Sequence, residues 1–260
     1  MARTVIATSD QHTDSAPPAV QDAQLEFFES LLKRDDVQCI VSVGDLWSMA
    51  LDSSVETLIN NPHCAKVRDV LRQLSESKRV VLVDGNHDPY STLPEPQLKQ
   101  FTDWLAAPKI TFPGPGFNKQ FSELPTTYYM HGAQFDPSND FWKSVTGTLR
   151  EKMGAERAEA FIKWVIDIYF KWKSGPTPAK VREQDPDAYE LMVSYLHDKM
   201  WKWALDKQNV YDICVMGHTH FDEYRHKELG NKTYVNCGAF DGHGNTYVEI
   251  TTAGPRLVKW

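Results

Sequence analysis

Five short clusters in the sequence combine Asp, Asn and His, the side chains that commonly hold divalent metal ions. They are Asp10-Gln11-His12, Gly44-Asp45, Gly85-Asn86-His87-Asp88, His131-Gly132 and Gly217-His218-Thr219-His220. Glycine accompanies four of the five, and it permits the positive φ and close backbone approach that a turn needs to aim a side chain into a pocket. One such cluster alone would be weak evidence, because turns and helix caps have the same composition. The five together predict one polar site.

The residue types in these clusters indicate metal-dependent hydrolysis of phosphate esters or anhydrides. Two cations roughly 3.5–4 Å apart bind phosphoryl oxygens and hold a hydroxide ready at neutral pH. Carboxylate, amide and imidazole ligands suit Mn²⁺, Fe or Zn²⁺ better than Ca²⁺, and the lack of thiolate ligands disfavours a structural zinc site. Alternate residues of an extended segment face the same way, so Asp10 and His12 can reach one ion together. His218 and His220 have the same spacing, and a turn between them would direct them to two adjacent ions.

The elements that must position these clusters alternate between strands and helices. Apolar runs at 5–7, 38–43, 79–83 and 213–216 predict short buried strands, each followed directly by a cluster. Helical spacing separates the first three runs, as in Val67, Val70, Leu71 and Leu74. This alternation predicts an at least partly parallel sheet with helices on its faces, and in such sheets ligands bind beyond the carboxyl ends of the strands.

The C-terminal part of the chain changes to β structure. Segments 223–229, 232–236 and 245–251 are predicted strands, Gly230-Asn231 supplies a hairpin turn, and 256–260 adds a closing strand. We expect these strands to form a second, more antiparallel sheet packed beside the first. The predicted fold class is therefore α/β.

A helical insertion is predicted at about 137–208, within a single domain that spans residues 1–260. Phe161, Trp164, Val165 and Ile168 mark one apolar helical stripe, and the pattern resumes after Gly175-Pro176-Thr177-Pro178. Its aromatic residues have two interpretations: a local helical core, or a lid whose apolar lining selects the substrate. Both interpretations stay open.

The five clusters resemble the pattern of the calcineurin-like metallophosphoesterase superfamily, which reads D-x-H, G-D, G-N-H-D/E, a later H, and G-H-x-H. The resemblance covers both ends of the chain and implies a four-layer β-sandwich flanked by helices. It implies that one ion is held by Asp10, His12, Asp45 and His220. It implies that a second ion is held by Asp45, Asn86, His131 and His218, with Asp45 bridging the two and a hydroxide between them. The expected ions are Mn²⁺ first, with Fe, Zn²⁺ or Ni²⁺ as alternatives.

His87 and Asp88 are the expected catalytic residues. The resemblance places His87 just outside the ligands, near the substrate phosphate, where it could stabilise charge or protonate the leaving oxygen. Asp88 is expected to orient His87, a common arrangement around catalytic histidines. One departure from the family stands out: Gly44-Asp45-Leu46-Trp47-Ser48 lacks the second acid that many members carry after the bridging Asp.

The substrate is expected to be a phosphorylated small molecule or nucleotide, attacked at a phosphodiester, phosphomonoester or pyrophosphate bond. The insertion and the segment 131–136 resemble the UDP-diacylglucosamine pyrophosphatase branch, although that branch tends to carry a basic residue where His87 stands. The formal net charge of −7 argues against non-specific duplex DNA binding. A nuclease remains the alternative, supported only by a small basic cluster at Lys143, Arg150, Lys152 and Arg157. A non-catalytic metal-binding scaffold is the third class.

Four widely spaced cysteines without a C-x-x-C pair favour a reduced, cytoplasmic setting. The sequence shows no signal peptide and no apolar stretch long enough to span a bilayer. Oligomeric state is not encoded in any of these patterns.

Overall fold

The computed structural model describes residues 3–49, 54–118, 124–135, 186–206, 210–227, 231–240 and 244–260. The chain divides into two compact units, one formed by Met1–Gly132 with Met200–Trp260 and the other by Ala133–Lys199. In the second unit, the described residues comprise a 3₁₀ turn at Ala133–Phe135 and most of one helix.

The regular elements alternate along the chain much as the sequence predicts. In chain order they are β1 (Thr4–Thr8), α1 (Pro18–Leu32), β2 (Val37–Ser42), α2 (Val55–Asn60), α3 (Pro62–Ser77), β3 (Arg79–Leu82), α4 (Glu95–Leu105), β4 (Ile110–Thr111), β5 (Gly116–Asn118), β6 (Thr127–Met130), α5 (Pro186–Ala204), β7 (Ile213–Met216), β8 (Asp222–Lys227), β9 (Lys232–Cys237), β10 (Thr246–Thr251) and β11 (Gly254–Lys259). Strands β4, β5 and β6 are short and were not predicted from the sequence.

Two mixed sheets form the centre of the first unit. The six-stranded sheet has the order β11-β10-β1-β2-β3-β4, and the five-stranded sheet has the order β5-β6-β7-β9-β8. Strands β1 to β4 run parallel, while β10 and β11 extend that sheet in antiparallel fashion from β1. In the second sheet β6, β7 and β9 run parallel, and β5 and β8 close its two edges antiparallel. The predicted α/β class, with a β-sandwich flanked by helices, is confirmed.

One sheet assignment made from the sequence was wrong. The C-terminal strands do not share one separate sheet, because β10 and β11 join the first sheet and β8 and β9 join the second. Strand β10 pairs with β1, with Val5 opposite Ile250, and so it covers an edge that β1 would otherwise expose. Local pattern specifies that a segment is a strand, but its partner is set by packing at long range.

Alternation along the strands divides the core into two apolar layers. Val5 and Ala7 face an apolar layer that contains residues of both sheets, including Val215 and Val235. Ile6, between them, faces the other way, into a layer built with α1 and α3. On the far side of the second sheet, the rings of Tyr128 and Trp203 lie 5.6 Å apart, so the end of α5 covers that face. In the first unit, helices α1 and α3 thus pack on one sheet, and residues 200–204 at the end of α5 pack on the other.

Most of the predicted insertion, including its apolar stripe at 161–168, lies outside the described residues. Its last part forms α5. The predicted turn residue Gly230 also lies outside them, although β8 and β9 pair antiparallel with Lys227 opposite Lys232. No helix in the described ranges is both long and apolar enough to cross a membrane.

Candidate metal centre

The predicted ligands follow the carboxyl ends of five strands. Asp10 follows β1, Asp45 follows β2, Asn86 follows β3, His131 directly follows β6, and the last cluster follows β7. Each of these strands runs parallel to a neighbour in its own sheet. The two stacked sheets thus deliver side chains from five loops to one place, as expected at the ends of parallel strands.

Five of the seven predicted ligands have backbone angles in the left-handed region. Their φ values are 55° for Asp10, 44° for His12, 56° for Asp45, 73° for His218 and 59° for His220. Residues other than glycine adopt this region uncommonly, because it strains their backbone. Such strain persists where the surrounding structure imposes it, typically at functional sites. Two hydrogen bonds between loops help to impose it here: Asp10 N–H donates to Gly44 O (3.2 Å) and His12 N–H donates to Asp45 O (3.0 Å).

Asp45, Asn86, His131 and His218 form one group of donor atoms. His131 Nε2 lies 3.0 Å from Asp45 Oδ2 and 3.0 Å from Asn86 Oδ1. His218 Nδ1 lies 3.1 Å from the same Asn86 oxygen. These are the four residues that, as the family resemblance implies, would hold one ion.

Asp10, His12 and His220 form a second group, whose ligand atoms all lie within 4.8 Å of one another. His220 Nε2 is 3.4 Å from Asp10 Oδ1. Asp45 Oδ2 lies 3.9 Å from His12 Nε2, so this carboxylate stands beside both groups. The structure therefore brings together all seven residues that the sequence singled out as ligands.

One buried oxygen in this centre receives no hydrogen bond from any described residue. Asp10 is fully buried, and its Oδ2 accepts from the backbone N–H of His218 at 2.8 Å. Within the part of the chain that the structure describes, its Oδ1 has no hydrogen-bond partner, and it lies within 4 Å of His220 Nε2 and His131 Nε2. An unpaired buried carboxylate oxygen is costly unless a cation compensates it. The donor set therefore fits bound divalent cations.

The protonation states of two histidines are set by burial and by the carboxylates. Burial lowers the pKa of His12 to about 4, which keeps its ring in the neutral form that binds metals. Burial alone would also lower the pKa of His131, but the Asp45 and Asp10 carboxylates raise it to about 10. His131 Nδ1–H donates to the backbone oxygen of Val43 (2.9 Å), so Nε2 faces the carboxylates. A cation bound there would take the place of the Nε2 proton.

His87 is half-buried at the side of this centre. Its ring centroid lies 4.7 Å from that of His12, and its backbone N–H donates to Asp45 Oδ1 at 2.9 Å. The His87 ring, with His12 and Asp45, also forms a set whose ligand atoms lie within 4.8 Å. His87 is thus next to the predicted ligands and partly open to solvent.

Asp88 has a different position from the one expected. Its fully buried carboxylate accepts hydrogen bonds from the backbone N–H groups of Asp45, Leu46, Trp47 and Gly85 and from the hydroxyl of Tyr90. These bonds hold the Asp45 loop, and they replace the expected bond to the His87 ring. Burial, together with repulsion from Asp45, raises the pKa of Asp88 to about 8. All five donors favour the ionised form, and a cation bound by Asp45 would reduce the repulsion.

Three residues that support the centre carry no sequence signal. Tyr90 bonds Asp88, and the Ser48 hydroxyl lies 3.1 Å from His12 Nδ1. Ser9 donates to Asp10 Oδ2. A single Ser or Tyr matches no motif, so only the folded chain reveals them. Asn236 holds two backbone segments together: its amide donates to Gly217 O (2.8 Å) and its oxygen accepts from Gly238 N–H (3.0 Å).

A match to one family model agrees with this picture. The family model for calcineurin-like phosphoesterases matches residues 3–222. Among solved structures, a conserved uncharacterised protein from Streptococcus pneumoniae, a predicted phosphoesterase, is 14% identical with a TM-score of 0.41, over 100% of this chain and 99% of that one. Zinc-complexed Vps29 from Entamoeba histolytica is 16% identical with a TM-score of 0.39, over 99% and 98%. A metallophosphoesterase from Sphaerobacter thermophilus is 14% identical with a TM-score of 0.43, over 100% and 88%. No curated protein matches the sequence.

Proposed function

The chain belongs to the calcineurin-like phosphoesterase family, and we propose that it hydrolyses a phosphate ester or anhydride with two divalent metal ions. One observation carries the proposal of two ions. Asp45 Oδ2 lies 3.0 Å from His131 Nε2 in one ligand group and 3.9 Å from His12 Nε2 in the other. A carboxylate placed between two groups of ligands is suited to bridge two cations.

The proposed ligands divide between the two ions. One ion would be held by Asp10, His12, Asp45 and His220, and the other by Asp45, Asn86, His131 and His218. When bound, such ions neutralise phosphoryl oxygens and lower the pKa of the attacking water. We propose Mn²⁺ as the preferred ion, with Fe, Zn²⁺ and Ni²⁺ as alternatives, because the ligands are carboxylate, amide and imidazole without thiolate.

His87 is the residue we propose to assist the reaction directly. It is half-buried beside His12, and its backbone is fixed by the bond from its N–H to Asp45 Oδ1. From this position the imidazole can donate a hydrogen bond to a phosphoryl oxygen or a proton to the leaving oxygen. Asp88 acts on the reaction only through Asp45, whose loop it holds, and is a positioning residue.

The test combines metal analysis with turnover. The protein, reconstituted with Mn²⁺, is expected to hydrolyse bis-p-nitrophenyl phosphate, and Asp45→Ala is expected to lose bound metal and at least about 100-fold in turnover. His63→Gln is the matched control, because this histidine lies outside both ligand groups and should keep metal and activity. A wild-type protein that binds Mn²⁺ but hydrolyses no phosphate ester or anhydride would contradict the proposal and leave the scaffold alternative.

A substrate panel then separates the remaining classes. It comprises phosphate monoesters, cyclic nucleotides, oligonucleotides and nucleotide-sugar pyrophosphates, each with Mn²⁺ and with the other metals. We propose a phosphorylated small molecule or nucleotide as the substrate class. Degradation of oligonucleotides in preference to the small molecules would support the nuclease alternative.

A further inference from the structure

Strand β8 forms one edge of the five-stranded sheet, and no other described strand pairs with its outer side. It has six residues, contains no proline, and exposes 47% of Tyr224. The other edge strands in the described ranges are protected: β4 has two residues, β5 has three, and β11 contains Pro255. Short length and proline are devices that prevent pairing at a sheet edge. Strand β8 uses neither.

The sequence of β8, Asp-Glu-Tyr-Arg-His-Lys, is acidic at its start and basic at its end. Charges on an edge strand commonly prevent pairing, but only where the incoming strand presents like charges. A second copy of β8 running antiparallel would present the opposite order. The charge pattern therefore favours this strand pairing with itself and disfavours unrelated acidic or basic strands.

Backbone geometry restricts how two copies of β8 can pair. Directly opposed residues in an antiparallel pair either both point their backbone N–H and C=O groups at each other or both point them away. This direction alternates from one residue to the next along a strand. In a pair of identical strands, a residue can therefore oppose only its own copy or a residue an even number of positions away in the sequence. A two-fold axis near the middle of β8 must therefore pass beside Tyr224 or beside Arg225.

The two registers differ in their charges. An axis beside Arg225 would place each Glu223 opposite Lys227, but it would also place the two Arg225 side chains against each other. An axis beside Tyr224 places the two tyrosines together, each Glu223 opposite Arg225, and each Asp222 opposite His226. Opposite charges and aromatic pairs across strands are stabilising, whereas like charges directly opposed are destabilising. The Tyr224 register is therefore the favoured one.

We propose that β8 is a docking surface for a second copy of this chain, which pairs antiparallel about Tyr224 and joins two five-stranded sheets into one. In each monomer, Arg225 Nε lies 3.2 Å from Glu223 Oε1, so pairing would exchange the two ion pairs within the copies for two between them. Stable interfaces bury at least about 1,200 Å². A single strand pair buries less surface than this. We therefore expect a weak dimer, whose fraction rises with the protein concentration.

Cysteine cross-linking tests the register. Directly opposed Cα atoms lie about 4.5–5.5 Å apart, which is within the range that a disulfide spans. Tyr224→Cys is therefore expected to form a covalent dimer under mild oxidation, while Arg225→Cys and Lys227→Cys are expected to stay monomeric. The four native cysteines are buried and give a low background. Cross-linking of Arg225→Cys in preference to Tyr224→Cys would overturn the register, and no cross-linking of any variant would overturn the interface.

Charge reversal tests the interface without oxidation. Glu223→Arg and Arg225→Glu each place like charges opposite each other twice, and each is expected to weaken dimerisation roughly tenfold. The double variant restores both pairs and is expected to recover the wild-type equilibrium. Sedimentation velocity from micromolar to submillimolar protein measures the equilibrium, and circular dichroism confirms the fold of each variant. A wild-type protein that stays monomeric throughout, or single variants that dimerise as the wild type does, would overturn the proposal.

Discussion

The backbone N–H of Asp45 donates a 2.8 Å hydrogen bond to Oδ1 of Asp88. The same carboxylate accepts from the N–H groups of Leu46 (2.8 Å) and Gly85 (2.9 Å) and from the hydroxyl of Tyr90 (2.7 Å). Asp45 has a φ of 56°, in the left-handed region that residues other than glycine adopt uncommonly. The bonds to Asp88 stabilise that conformation, and they hold the proposed bridging carboxylate through its own backbone.

Asp88→Asn is therefore expected to weaken metal binding although it removes no proposed ligand. The Asn side chain carries an NH₂ group in place of one carboxylate oxygen. Because this group donates and cannot accept, at least one backbone N–H loses its acceptor. We expect a 10- to 100-fold loss of metal affinity (roughly the range for residues that support ligands). We also expect a loss of about 1–3 kcal/mol in the free energy of unfolding. Calorimetric titration with Mn²⁺ and urea unfolding of the metal-free protein measure the two effects.

Asp84→Asn is the matched control for this prediction. Asp84 is also buried on the segment after β3, but its carboxylate accepts from the N–H and hydroxyl of Ser91. Its replacement should reduce stability and leave Mn²⁺ affinity unchanged. Equal losses of affinity in the two variants would show that metal binding follows general stability and not the Asp88 contacts.

Gly85→Ala is expected to disrupt the centre through the backbone. A Cβ at this position would overlap Oδ1 and the backbone N of Asp45. Because one neighbour is main chain, the overlap can be relieved only by moving the loop that carries the proposed bridging carboxylate. We expect at least about a tenfold loss of Mn²⁺ affinity, with turnover reduced in parallel.

Gly254→Ala separates this effect from ordinary glycine strain. Gly254 has a φ of 105°, and a Cβ there would meet no heavy atom within 4 Å. That variant should cost about 1–3 kcal/mol of stability through backbone strain and leave metal binding intact. If Gly85→Ala bound Mn²⁺ as tightly as Gly254→Ala, the steric argument would be wrong.

The sequence predicts which residues meet in the centre better than it predicts how they are held there. Asp10, Asp45 and His218 could be identified because each follows an apolar run and carries a metal-binding side chain in a recurring order. The positive φ values of these residues have no signature in the sequence, because glycine is the residue that normally marks such a position. The folded loops impose them through contacts across the centre.

The layout of the sheets was less predictable than the strands themselves. The sequence predicted strands that contain Val5 and Ile250, but it could not show that these two residues oppose each other in one sheet. Asp88 was likewise assigned from its position next to His87. Three of its five hydrogen-bond donors, in Asp45, Leu46 and Trp47, lie about forty residues earlier in the chain, and the crossover between β2 and β3 brings them to Asp88.

His87→Ala is expected to keep its metal and lose turnover. We expect turnover to fall roughly 10²- to 10⁴-fold, the range for removal of a general acid or base. The loss should be greater for an alkyl phosphate ester than for a p-nitrophenyl ester, because a poor leaving group depends more on a proton donor. Metal analysis of the purified variant and turnover of both substrates provide the measurement.

The comparison of leaving groups also identifies an alternative role for His87. An equal loss for both esters would assign the histidine to binding the phosphate and not to protonating the leaving oxygen. Full turnover with intact metal content would exclude either role. His87→Gln serves as the matched variant, because it keeps a hydrogen-bond donor of similar length but cannot transfer a proton near neutral pH.

Glu249 links stability to pH at a place remote from the proposed ligands. Its side chain is 7% exposed and accepts from Arg34 Nη1 and, at 2.6 Å, from Arg256 Nη2. Burial alone would raise the pKa of Glu249. The two arginines outweigh this effect and hold the pKa below its ordinary value of 4.5. A group whose pKa is lower in the folded state stabilises the protein fully above its unfolded pKa, and that stabilisation is lost as the pH falls through the folded value.

The wild type is therefore expected to be more stable than Glu249→Gln by about 1–3 kcal/mol at pH 7. This difference should shrink as the pH is lowered below 4.5, the ordinary pKa of the group. Urea unfolding of both metal-free proteins at a series of pH values measures the difference. All other ionisable groups are common to both proteins, so their contribution cancels when the two free energies are subtracted. A charge that is neutralised by protonation cannot contribute equally at every pH. If the difference stayed constant down to the lowest pH at which the proteins fold, Glu249 would therefore act through its shape and hydrogen bonds alone.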